Sequence, residues 1–317
     1  MKMSLSKYIS LKEALLLRSY FSKINLLNAL LLILFNNTII AQDLLPTESN
    51  FGITQEMYSG LNNRDAKAGI EIWAKMIYEN YTNIKKSNVI IYENMESLIK
   101  SINNNELDIV FLNSLQFIQN KDELKIQPYF GTTVNKEKKY SIYLISKNKQ
   151  PIKKFDELKN TIITIQAGRY KMLNELWLDL LCLENRINDK TKFFKKIVFE
   201  ENPSKTIFSV FFDKSDFCIA TNFSYDLMME MNPQISKKIS VFKKRENLIN
   251  DLFCFVNSMN PNLKSNLLDF GQTLDKQPKM EQVYKMFKID GSYLLEEHYL
   301  DSTLMLWQEY NKIKKVN

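Results

Sequence analysis

The chain has 317 residues, 45% hydrophobic and 25% charged, which is enough apolar material for two lobes and the wrong composition for wholesale disorder. Only 7 residues are glycine, and none fall in the spacing of a G-x-G-x-x-G turn or a G-x-x-x-x-G-K-[ST] phosphate loop. The single histidine, His298, excludes H-E-x-x-H metalloprotease sites and His-rich zinc sites.

The net charge of +7 invites a nucleic-acid reading, but five basic residues (Lys2, Lys7, Lys12, Arg18, Lys23) and one acid (Glu13) lie within residues 1–41. The rest holds 38 basic and 35 acidic residues, a net of +3, so no nucleic-acid footprint is expected. Residues 26–35 read LLNALLLILF, too short to span a bilayer as a helix. A basic region, a short apolar run and the small exit residue Ala41 describe a secretory signal peptide over residues 1–41.

Beyond it, short apolar runs alternate with amphipathic ones. Phe51–Thr54 reads as a strand. Asp65–Asn80 reads as a helix, with Ala66, Ile70, Trp73 and Ile77 on one face. Asn88–Tyr92 is a strand, Met95–Ile102 a helix and Asp108–Leu112 a strand. This β-α-β-α-β order signals an α/β protein with a largely parallel sheet. Lys125–Thr133 and Tyr140–Lys147 are extended. A second round follows: strand Thr161–Gln166, helix Tyr170–Asn185, strand Phe194–Glu200, helix Pro203–Phe212, strand Asp216–Ala220, helix Ser224–Met231. Ser240–Lys243 and Leu252–Asn257 are extended, and the last sixty residues look helical, with Leu300, Leu304 and Trp307 on one face. Cys182, Cys218 and Cys254 sit in apolar runs without a C-x-x-C pair and read as packing residues; no metal or cofactor is implied.

The two rounds echo each other. Residues 107–114 (LDIVFLNS) and 215–222 (SDFCIATN) each give an acid, a buried strand and a polar turn. Ligands of open α/β sheets lie beyond the carboxyl ends of strands. Asn113, Ser114 and Asn222 are therefore candidate ligand groups, or simply helix caps. Gln166, Gly168 and Arg169 combine a strand end, a flexible glycine and a guanidinium fork suited to a carboxylate or phosph(on)ate, with an ordinary turn as the alternative. Gln55 and Tyr58 follow the first strand, and Asn202 and Ser204 flank Pro203 at a helix start. Asp108 and Asp216 precede their strands and belong to the far edge of the sheet, so they are not paired as catalytic carboxylates.

The ordered series 64–68 (RDAKA), 96–102 (ESLIKSI), 105–110 (NELDIV), 140–145 (YSIYLI), 155–163 (FDELKNTII) and Asp216–Ala220 resembles the phosphate/phosphonate-binding (PhnD-like) family of periplasmic solute-binding proteins that feed ABC importers. The resemblance implies a type II periplasmic-binding fold: two α/β lobes, a hinge and a ligand cleft. It implies lobe I from 42–137 and 235–317, the latter with the C-terminal helices, and lobe II from 138–234. Crossings are expected near 134–140 and 232–240, with Tyr140 at the hinge facing the cleft. The expected function is capture of a small anionic or polar ligand for the membrane permease of an ABC importer, by a periplasmic monomer that is not an enzyme. The alternatives are a ligand-sensing partner of a membrane signalling protein and an exported hydrolase. The chain departs from the family where a serine-rich turn is usual, carrying Gln166-Ala167-Gly168-Arg169; it also has Phe117 in place of a tyrosine, and Asn202 to Lys205 where a histidine often stands.

Overall fold

Runs of β-branched and aromatic residues become the eleven strands found among the described residues of the computed structural model. In chain order they are β1 (Glu48–Thr54), β2 (Lys86–Tyr92), β3 (Ile109–Asn113), β4 (Ile126–Thr133), β5 (Tyr140–Lys147), β6 (Ile162–Gln166), β7 (Lys196–Glu200), β8 (Phe217–Thr221), β9 (Ile239–Leu248), β10 (Asp251–Val256) and β11 (Gly291–Leu294). The helices are α1 (Asn63–Tyr81), α2 (Met95–Asn103), α3 (Ser114–Asn120), α4 (Lys171–Glu184), α5 (Lys190–Phe193), α6 (Pro203–Phe211), α7 (Asn222–Met231), α8 (Pro261–Gly271), α9 (Met280–Met286) and α10 (Asp301–Lys314). The structure describes residues 47–58, 62–81, 84–147, 154–277 and 280–315; the expected signal peptide over 1–41 lies outside them.

One sheet has the order β11-β4-β10-β3-β1-β2 and the other β7-β6-β8-β5-β9. In each, a fully buried strand lies between a parallel and an antiparallel neighbour: β3 between β1 and β10, β8 between β6 and β5. The two-residue period of a strand then sends alternate side chains into separate cores. Ile109 and Phe111 enter the layer with Trp73, while Val110 and Leu112 face Leu98 and Ile102. Ile219 packs with Trp177, while Cys218 and Ala220 pack with Ile207. The echoed acids close the far edge in the same way. Asp108 accepts from the Asn50 amide at 2.8 Å, and Asp216 from the Ile162 amide at 2.8 Å, so each carboxylate ties its strand to the parallel neighbour.

The chain passes from the first sheet to the second at 134–139, and the second crossing differs from the expected 232–240. β9 runs ten residues along β5, with Tyr140 opposite Leu248, so residues 239–248 belong to the second sheet and the crossing is Ile249-Asn250. The charged middle of β9 (Lys243 to Glu246) occupies an outer strand, where side chains reach water without leaving the ladder. A further correction concerns the last sixty residues. Gly291–Leu294 is an edge strand on β4, and while α8 and α9 pack in the core of lobe I, α10 packs mainly on α4 and β9 of lobe II and also touches α3 of lobe I.

All three cysteines are buried and free. Burial pushes the Cys182 thiol up to about 12, and raises Cys218 and Cys254 as well, so all three stay protonated and unreactive near neutrality. Ellman's reagent at pH 8 is therefore expected to label none of them in the folded chain and all three in denaturant. Rapid labelling of the native protein would contradict this packing.

Candidate binding cleft

Each sheet ends in a polar turn that caps a helix. Asn113 accepts from the Gln116 amide at 2.8 Å, and the Gln116 side chain accepts from the Asn113 amide, a reciprocal capping box. Ser114 is fully buried and donates to the Ile249 carbonyl at 2.7 Å, which fastens the start of α3 to the second crossing. Thr221 caps α7, accepting from the Ser224 amide at 3.3 Å. Asn202 caps α6, accepting from the Lys205 amide at 3.1 Å, and Asn222 accepts from the Ser141 amide at 2.8 Å.

Gln166 ends β6 with its side chain turned into the protein. Its Oε1 accepts from the Thr221 amide at 2.9 Å and from Ser224 Oγ at 2.9 Å, while Nε2 has no protein partner among the described residues. The next turn needs Gly168, whose φ of 74° lies in the left-handed region. That turn carries Arg169 across to lobe I. Arg169 Nη2 lies 2.9 Å from Asp251 Oδ2, and Nη1 donates to the Lys288 carbonyl at 3.3 Å. Asp251 opens β10 directly after the second crossing, and it also accepts from Thr132 Oγ1 at 2.7 Å and from Asn250 Nδ2 at 2.7 Å. Burial would lower the Arg169 pKa, but Asp251, Tyr170 and Tyr140 outweigh it, and the guanidinium is held above its ordinary value. The charge expected for an incoming anion is thus already paired. The sequence analysis did not find Asp251, because no spacing rule links it to Arg169.

A cavity of about 310 Å³ opens beside this pair. Lobe II lines it with Gln166, Gly168, Arg169, Tyr170, Thr221, Phe223, Ser224 and Leu227; lobe I adds Met57, Tyr58, Asn135, Met286, Phe287 and Lys288. Of the candidate residues, Tyr58, Gln166, Gly168 and Arg169 come together here. Tyr58 donates to Asn63 Oδ1 at 2.9 Å. Tyr140 and Asn222 line a neighbouring recess of about 330 Å³ with Asn135 and Phe223. The Tyr140 ring lies 5.0 Å from that of Tyr170, and its buried hydroxyl has no partner among the described residues; burial pushes its pKa well up. Asn113, Ser114, Gln55, Asn202 and Ser204 line neither space. Phe223, Leu227, Met286, Phe287 and Lys288 were not singled out from the sequence; as apolar or lysine positions on helices and turns they carried no signal.

The family model described as "ABC transporter, phosphonate, periplasmic substrate-binding protein" matches residues 66–296. The chain belongs to this family. The phosphonate-transporter binding proteins are transport solute-binding proteins, periplasmic and paired with an ABC permease. Among the described residues of this member no helix is long and apolar enough to cross a membrane. No curated protein matches the chain. Solved structures share its fold, the type II periplasmic-binding fold. XAC2383 from Xanthomonas citri, bound to chloride ion, has a TM-score of 0.62 at 12% identity over 86% of this chain and 100% of its own. The binding protein component of an ABC phosphonate transporter from Pseudomonas aeruginosa gives 0.57 at 13%, over 85% of this chain and 88% of its own. PhnD1 from Prochlorococcus marinus, in complex with methylphosphonate, gives 0.56 at 16%, over 84% of this chain and 99% of its own.

Proposed function

We propose that this chain is an exported, monomeric receptor that holds a small phosphate- or phosphonate-like anion between its lobes and presents the closed form to the permease of an ABC importer. The carrying observation is the cavity itself. Strand ends β6 and β8 and the Gly168 turn of lobe II meet Tyr58 and Lys288 of lobe I across one space, with the crossings at 134–139 and Ile249-Asn250 and the passage from β11 to α10 to hinge about. Family membership and the relatives solved with chloride and with methylphosphonate support an anion. The basic, apolar and small-residue pattern over 1–41 supports export with cleavage near Ala41, and N-terminal sequencing of exported material tests it.

Binding is tested by thermal shift and calorimetry against phosphate, phosphite, methylphosphonate, small sulfonates and small carboxylates. An anion present at 100 times its Kd is expected to stabilise the chain by about 2.7 kcal/mol. Stabilisation by none of these anions, nor by any longer-chain anion, would remove the anion reading.

A further inference from the structure

We infer that the ligand of this cleft is an organic anion bearing an apolar substituent of several carbons, not a bare oxyanion. This rests on the anion reading above and adds the chemistry of the rest of the ligand.

The polar groups at the strand ends are already engaged. Ser224 Oγ and the Thr221 amide both donate to Gln166 Oε1, and Arg169 is divided between Asp251 and the Lys288 carbonyl. A bare oxyanion needs donors around every oxygen, and would have to break these bonds to find them. What lines the cavity without a side-chain partner among the described residues is Gln166 Nε2, the Asn135 amide and the exposed Lys288, whose carbonyl already takes Arg169; the exposed acid Glu201 lines it too. One cation and two neutral amides beside an acid can serve a single compact anionic head, not an oxyanion that needs donors on every side.

Most of the remaining wall is apolar. Met57, Phe223, Leu227, Met286 and Phe287 line the same cavity, and Leu227 is 48% exposed beside it. The volume of about 310 Å³ falls at the small end of sites for organic molecules. A second, apolar space of about 50 Å³ shares Met57, Arg169 and Phe287 with the cavity and continues toward Trp73. An alkyl or aryl substituent would cover the exposed apolar wall and extend along it, a burial that scales with apolar area.

The test is calorimetric titration of the purified chain with methyl-, butyl- and hexylphosphonate, inorganic phosphate, and 1-hexanol. Affinity is expected to rise about fourfold per methylene while the substituent is being buried. With all five added methylenes buried, hexylphosphonate is then expected to exceed methylphosphonate on the order of 1,000-fold, with 1-hexanol far weaker. Leu227→Ser and Met286→Gln, both at positions that are not fully buried, are expected to weaken hexylphosphonate several-fold more than methylphosphonate. A flat series, or phosphate binding tightest, would overturn the inference and leave the anion reading standing. Equal binding of 1-hexanol and hexylphosphonate would overturn the anionic head, and binding of none would overturn both.

Discussion

Arg169→Ala is expected to destabilise the folded chain by about 3–5 kcal/mol, the cost of stranding a buried charge. The side chain of Asp251 is 2% exposed and that of Arg169 13%, so water cannot replace the lost partner. The loss should appear as a lower urea midpoint at unchanged slope. Asp251→Asn is expected to be milder, because an amide oxygen in the place of Oδ2 still accepts from both Thr132 and Arg169, and only the bond from Asn250 to the other oxygen is lost. The double variant should be less damaged than the sum, with a coupling on the order of 2 kcal/mol. Because the pair joins the turn after β6 to the first residue of β10, the single variant should also adopt a more open average shape, seen as a larger radius of gyration in small-angle scattering. An Arg169→Ala chain with the parent's midpoint and radius would show that the pair holds nothing together.

Leu306→Ala is expected to cost about 2–5 kcal/mol, as a fully buried leucine on α10 that packs into the core of lobe II. The same face carries Trp307, Tyr310 and Ile313 against that core, and Arg245 of β9 clamps the helix by binding Glu309 at 2.8 Å and the Ser302 carbonyl at 3.3 Å. A chain stopped after Leu300 should expose the Trp177 cluster and lose cooperative unfolding altogether. Leu306→Met, which keeps the volume, should cost less than about 1.5 kcal/mol. Urea unfolding followed by tryptophan fluorescence separates these cases. A parent-like Leu306→Ala midpoint would mean that α10 adds little to lobe II.

The elements that the sequence revealed most fully are those whose pattern is local. β5 appears at its expected bounds, Tyr140–Lys147, because five apolar or aromatic residues within eight, bounded by polar ones, mark a short buried run. The echoed acid-strand-turn units were legible for the same reason, and both acids do sit at the far edge of their sheets. β9 was cut short because its Lys-Lys-Arg-Glu stretch looks like solvated surface, and this displaced the second crossing with it. β11 is four residues long and gains its hydrogen bonds from β4, far away in the chain, so no local pattern announces it. At the cleft, the turn 166–169 was found from its glycine and arginine. The role of each side chain depends on partners brought in by folding: Asp251 for Arg169, Thr221 and Ser224 for Gln166. Residue types and spacing define which groups can bind an anion, but only tertiary neighbours decide which of them are still free.

The place of β10 in the first sheet governs how the protein can be made. It lies in the interior between β4 and β3, yet it follows the whole second lobe in the chain. On a ribosome adding about 5–20 residues per second, β3 and β4 wait several seconds or more for the strand that joins them. During that interval Ile126 and Phe130 on one side and Val110 and Leu112 on the other have no sheet partner between them. The second lobe cannot finish sooner, since its own apolar face awaits α10. Neither half therefore has its complete core until nearly all of the chain has been synthesised. Until then these apolar strand faces are uncovered, a surface for a chaperone to hold.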